Sequence, residues 1–344
     1  MGMGYVAAGR AVVCGLVLAF SAPAAADVAG LYEAAKKEGE LTWYTAHTDG
    51  ETAEAVGRAF SERYPGVKVN VIRTTAQVAY QRLRQEIRSG TAQCDVFSST
   101  DVGHDVALKK EGRFAHYVPE NAAKVRPEFQ GFDPDGYFYP TSAGLVLITY
   151  NTEKVRAEEA PRKWPDLLDP KWKGKVSVGH PGFSGYVGTW VVLMRKLYGW
   201  DYFEKLERNK PQIGRSINDT VTMLTSGERL VASGPSGTML KSAEKGNPLA
   251  VVYPEDGALL MISPSAVVAN APHPNAARLF LEFLLGVEHA EILVRNHREP
   301  VRPEAKPPER AKTPGHIKVL RPTVDEIAKV IPEVIEQWRD TFGS

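Results

Sequence analysis

The chain predicts an α/β protein built as two lobes facing across a cleft. Three observations carry this. Apolar β-rich runs alternate with helix-period runs from residue 31 onward, the grammar of parallel sheets with helices on both faces. The strands end in small hydroxyl or polar residues in both halves of the chain, and ligands collect outside the carboxyl ends of strands in such sheets. Third, 344 residues exceed the size at which a single core stops growing.

In order, Leu31–Gly39 reads as a short amphipathic helix and Glu40–Ala46 as a strand running into His47-Thr48-Asp49-Gly50. A helix over Thr52–Tyr64 is closed by Pro65-Gly66, and Val67–Ile72 is a second strand ending near Thr74 and Thr75. Val78–Ser89 is a helix stopped by Gly90, and Asp95–Ser98 is a third strand that runs into Ser99, Thr100 and Asp101. Taken singly, such residues are ordinary helix caps and turn formers; three polar strand ends together point to a site. Ala143–Tyr150 is a continuous apolar run, the mark of a strand buried on both faces.

The proline-punctuated segment Trp164–Gly174 precedes the stretch VSVGHPGFSGYVGTW at Val176–Trp190. Here a short strand enters a glycine loop and a helix begins. That arrangement leaves backbone N–H groups unpaired at the positive end of the helix dipole and favours an anion. Ser184 adds a hydroxyl, and Gly185 lets a ligand come close to the backbone. The competing reading is an ordinary strand-to-helix connection. Helices follow at Thr189–Tyr198, Tyr202–Asn209 and Asp219–Ser226. Strands follow at Arg229–Ala232, before Ser233-Gly234-Pro235-Ser236-Gly237, and at Leu249–Tyr253, before Pro254-Glu255-Asp256-Gly257. Leu259–Val268 is apolar, Ala276–Leu285 and Glu288–Val294 are helices, and Val324–Phe342 is a terminal amphipathic helix containing Pro332.

The first 26 residues read as a cleavable secretory signal: lone Arg10, the apolar run Ala11–Phe20, then Ala24-Ala25-Ala26 before Asp27. Cys14 sits inside the apolar run behind a bulky Val13, which argues against a lipid-attachment site. The expected product is exported, soluble and without a membrane span. Only Cys94 then remains, so no internal disulfide forms. A formal net charge of +1 shows no bulk bias toward nucleic acid. No HExxH, P-loop, GxSxG or metal-spaced His/Cys/Asp cluster occurs. Gly182-Phe183-Ser184-Gly185 imitates a nucleophile elbow only loosely, and His180 reads as a loop histidine.

Several segments carry a family resemblance: LYEAAKKEGELTWYTAH, TEKV…WPDLLDPKWKGKV, GTWVVLMRKLYGWDYFEKL, TSGERLVASGPSG, AVVYPEDG with NAARLFLEFLL, and KVLRPTVDEIAKV…WRDTFG. The chain resembles bacterial solute-binding proteins of ABC transporters, most closely the ferric-iron-type family. The resemblance implies a two-lobed periplasmic binding protein fold of type II. Two hinge strands would cross between lobes near Leu145–Tyr150 and Leu259–Val268, with residues 27–144 and 263–344 forming lobe 1 and 145–262 lobe 2. It departs from the iron binders where they carry adjacent tyrosines, a place held here by Ser233-Gly234-Pro235-Ser236-Gly237, and where they carry an arginine on the first crossing strand. His47 matches their first-loop histidine, but one imidazole without phenolates is a poor site for Fe(III).

Relatives on this scaffold bind phosphonates, sugar or glycerol phosphates and thiamine. The expectation is therefore a non-enzymatic capture protein for a small anionic solute, handed to inner-membrane permease subunits, monomeric and without cofactor or metal. Ser184, Gly185 and Tyr186 would donate to the anion, while Thr48, Thr75, Ser99 and Thr100 hold it from the first lobe. Ser236, Asn218 and Asp256 would read the remainder, Asp256 meeting an amine or hydroxyl tail, and His47 would cap one edge. The alternatives are a ferric iron or iron-chelate binder and a secreted α/β hydrolase using Ser184 or His180.

Overall fold

The computed structural model describes residues 1–2, 28–307, 312 and 317–344. The expected signal segment, its cleavage site and Cys14 lie outside the described residues, apart from Met1 and Gly2. Helix α1 (Val28–Glu38) leads into β1 (Glu40–Thr45). Asp49 then caps α2 (Gly50–Arg63) by accepting from the Thr52 amide at 3.0 Å. Strand β2 (Lys68–Arg73) and helix α3 (Ala76–Ser89) follow, and left-handed Gly90 (φ +70°) stops the helix as the sequence indicates. After β3 (Val96–Ser98), Asp101 caps α4 (Val102–Lys110), a helix with no clear sequence signal.

Strand β4 (Tyr139–Asn151) is buried at all thirteen residues, as expected for a doubly covered strand. Two short 3-10 turns at Trp164–Leu168 and Pro170–Trp172 occupy the proline-punctuated stretch. Next come β5 (Val176–Gly179), α5 (Gly185–Tyr198), α6 (Asp201–Arg208), β6 (Gln212–Gly214) and α7 (Asp219–Thr225). The sequence continues through β7 (Val231–Pro235), α8 (Ser236–Glu244), β8 (Leu249–Val252) and β9 (Ala258–Val267). It ends with α9 (Pro274–Leu284), α10 (Val287–Arg295), β10 (Val319–Leu320) and α11 (Val324–Phe342).

The strands form one curled sheet of order β2-β1-β3-β9-β4-β7-β5-β6. Its two ends are parallel units: β2, β1 and β3 at one, β7, β5 and β6 at the other. The antiparallel pair β4 and β9 joins them, with Leu145 opposite Leu260 and Val146 opposite Leu259. Strand β4 pairs with β9 over its first half and with β7 and β8 over its second, so it passes from one unit to the other without a break.

Each unit has its own apolar interior. Trp43, Phe60 and Phe280 pack edge to face in the first. Trp190, Phe203 and Trp164 do so in the second. The last helix, α11, was expected with lobe 1, yet it buries Ile331, Val334 and Trp338 in the second interior. Its apolar stripe is long enough to cover α5 and still reach the first unit through Ile327.

Candidate functional site

A small pocket opens between the two units where polar strand ends meet the start of α5. Six of the residues expected from the sequence line it: His47, Thr75, Thr100, Ser184, Tyr186 and Asn218. Ser184 stands at the N-cap of α5, but its side chain makes no cap hydrogen bond and keeps its hydroxyl for the pocket. Asn218 accepts from Thr238 Oγ1 at 3.0 Å through Oδ1, which leaves its amide N–H groups to donate. The Thr75 hydroxyl is buried and has no hydrogen-bond partner among the described residues.

Two lining residues were not singled out from the sequence, and they are the site's cations: Arg73 and Arg298. Arg73 ends β2, one residue before the Thr74-Thr75 strand end. It donates from Nε to the Thr48 carbonyl at 2.8 Å, which aims the rest of the guanidinium away from that loop. Burial lowers its pKa from the ordinary arginine value, and the Asp49 carboxylate opposes that shift. Arg298 follows α10, where no periodicity flags it. His297 before it adopts the left-handed region (φ 57°), a conformation rare outside glycine that turns the chain back into the cleft. Arg298 Nη1 donates to the Tyr186 hydroxyl at 2.7 Å, leaving the phenol proton free to donate onward. The guanidinium lies against Gly144 of β4, where a Cβ would come within 3.2 Å of Nη1. A cation thus reaches the first crossing strand from a different segment.

His47 is buried, and its Nε2 sits between two carbonyl oxygens, Ser99 O at 3.1 Å and Pro264 O at 3.0 Å. Burial, reinforced by Arg298, pulls its pKa down to about 3, so the ring is neutral.

The other five expected residues are placed elsewhere. Thr48 adjoins the site through its carbonyl to Arg73, and its own hydroxyl is buried without a partner. The Ser99 hydroxyl contacts His104 Nδ1 at 3.1 Å and accepts the Asp101 amide at 3.0 Å. Ser236 accepts the Leu145 amide at 3.2 Å, tying α8 to β4. The Asp256 carboxylate takes the Trp164 amide at 3.0 Å and the Tyr198 hydroxyl at 2.5 Å, away from the pocket. A Cβ built on Gly185 collides with the Thr100 carbonyl and the Asp101 amide. The close approach this glycine permits is therefore with the chain's own backbone across the cleft, not with a ligand.

Among the described residues no three His, Cys, Asp or Glu side chains group to hold a metal ion. His180 is spent, its Nδ1 accepting the Gly182 amide at 2.9 Å and its Nε2 lying 3.0 Å from the Ser344 carbonyl oxygen. No described helix is long and apolar enough to cross a membrane. What the pocket can do is surround an oxyanion with guanidinium, hydroxyl and amide donors.

Known proteins share this architecture. A putative 2-aminoethylphosphonate-binding periplasmic protein of Salmonella paratyphi A is 24% identical over 324 residues, 89% of this chain and 90% of that one. The periplasmic binding protein AfuA from Actinobacillus pleuropneumoniae, solved with exogenous fructose-6-phosphate bound, superposes with a TM-score of 0.79 at 22% identity, covering 89% of this chain and 99% of its own. Iron-bound HitA from Pseudomonas aeruginosa gives a TM-score of 0.75 at 22% identity, over 88% and 99% of the respective chains. These likenesses speak to a two-lobed fold. The model of the bacterial extracellular solute-binding proteins matches residues 94–330, and the chain belongs to that family.

Proposed function

We propose that the protein is the periplasmic solute-binding component of an ABC importer and captures a small anionic organic solute, a phosphonate, phosphate ester or carboxylate. Capture occurs between the lobes, which close about β4 and β9 and present the solute to permease subunits at the inner membrane. One observation carries the anion: Arg73 and Arg298 enter one pocket from different segments, joined by the neutral donors of Ser184, Tyr186 and Asn218. Two guanidiniums pre-positioned by Thr48 and Tyr186 lose little freedom when they bind an oxyanion in paired hydrogen bonds. Relatives named for 2-aminoethylphosphonate, and AfuA with a sugar phosphate, support this solute class.

The lining chemistry favours an organic anion over a bare ferric ion. It offers one neutral imidazole, whose Nε2 faces carbonyl oxygens, and the single phenol of Tyr186. Hydrolysis has no support from a nucleophile–base pair, because both ring nitrogens of His180 are engaged elsewhere, by the Gly182 amide and the Ser344 carbonyl oxygen. Calorimetry against phosphonates, phosphate esters and carboxylates tests the proposal. Arg298→Met should weaken the best binder by about 2–5 kcal/mol, the cost of removing one partner of a buried charged pair. Unchanged affinity in that variant would place the anion elsewhere.

A further inference from the structure

The chemistry of the pocket wall bears on the solute's tail as well as its anionic head. Among the described residues no carboxylate lines the pocket. Acids of the surrounding elements face other partners. Asp49 accepts from Thr52 and pairs with Lys241 at 3.2 Å, and Asp219 accepts the Ser216 amide at 3.0 Å. Asp101 takes the Gly103 amide at 2.9 Å, and Asp256 is bound to Trp164 and Tyr198. An ammonium group entering this space would meet two guanidiniums, while the acids that act on Arg73, Asp49 and Asp219, are engaged by other partners, in a medium where like charges are poorly screened.

His47 supplies the complementary half. Carbonyl oxygens only accept, so Nε2, held between Ser99 O and Pro264 O, carries the ring's proton. Nδ1 is then a lone-pair acceptor, and no hydrogen bond from the described residues reaches it. An O–H or an N–H can each donate to it, so what sets a hydroxyl tail apart from an ammonium here is the positive charge of the two guanidiniums.

We infer that the cleft selects an oxyanion whose tail is uncharged and bears a hydroxyl, and selects against the same oxyanion bearing an ammonium tail. This rests on the anion reading above and narrows it. It also separates this chain from the ligand for which its 24%-identical Salmonella relative is named.

Three nearly isosteric probes test it: 2-hydroxyethylphosphonate, ethylphosphonate and 2-aminoethylphosphonate, titrated calorimetrically into the full exported chain at one pH and ionic strength. The hydroxyl compound should bind several-fold more tightly than the ethyl compound and at least about tenfold more tightly than the amine, tenfold being 1.4 kcal/mol. An amine that binds as tightly as the hydroxyl compound, or more tightly, overturns the inference while leaving the anion reading intact. If none of the three binds, and panels of phosphate esters and carboxylates do not either, the anion reading falls and takes the inference with it. Asn218→Asp places a carboxylate on the pocket wall and should narrow or invert the hydroxyl-to-amine gap. A gap that stays the same in a folded variant that still binds the hydroxyl compound counts against the inference.

Discussion

Gly185 is the point where closure of the cleft can be tested most directly. It opens α5 in one unit and faces the Thr100–Asp101 backbone of the other. Its φ lies outside the left-handed region, so alanine is compatible with its conformation and costs nothing in backbone strain. The obstacle is the clash across the cleft. Carbon atoms sit at about 3.5 Å at contact, and the atoms met here are backbone, which cannot swing aside, so the start of α5 would have to retreat by roughly 1 Å or more. Over-packing of this kind costs about 1–3 kcal/mol, equivalent to a roughly 5- to 150-fold loss of affinity if it falls on the closed state alone.

The open state, in which α5 has drawn away from Thr100, should feel only the better helix propensity of alanine, a gain of up to about 1 kcal/mol. Gly185→Ala should therefore weaken binding of 2-hydroxyethylphosphonate in calorimetry. It should leave the thermal midpoint of the solute-free protein equal or slightly higher, and reduce the compaction seen by small-angle scattering on adding ligand. Wild-type affinity together with full compaction would refute the argument. So would a drop in solute-free stability matching the loss of affinity, because the clash would then belong to the fold and not to closure.

Other sites carry separate expectations. Asp256→Asn replaces a carboxylate that organises Trp164 and Tyr198, so it should lower stability in urea melts by about 1–3 kcal/mol without changing affinity; weakened binding with intact stability would return Asp256 to the cleft. Burial raises the Glu299 carboxyl from 4.5 to about 7, with Arg126 opposing the shift. Because the folded-state value is the higher one, the stability carried by the protonated form is complete below about 4.5 and is lost as pH rises through about 7. Glu299→Gln should therefore flatten the pH dependence of stability over that window and exceed the wild type by up to roughly 3 kcal/mol at pH 8; parallel profiles for the two proteins would contradict the assignment.

The elements were legible because their signals are local. The buried run at 143–150 lies within β4, Gly90 stops α3, and the polar strand ends near His47, Thr75 and Thr100 line one pocket. Helix α4 was not legible, because its nine residues lack a clear amphipathic period. Its sequence also runs directly on from the hydroxyl-rich strand end.

Local pattern and composition by themselves determined that the chain alternates strand and helix, that it has enough residues for two units, and that hydroxyl-bearing loops lead away from the strand ends. Those properties depend on neighbours a few residues apart, through periodicity and turn chemistry. Which polar residues face one another was decided only in three dimensions. Arg298 joins Tyr186 across 112 positions, Asp256 turns instead to Trp164 and Tyr198, and the freedom of Gly185 is taken up by Thr100. A guanidinium or a carboxylate is equally at home on many surfaces. Its role follows from what a distant segment places beside it, and that is set by how β4 and β9 hold the two units together.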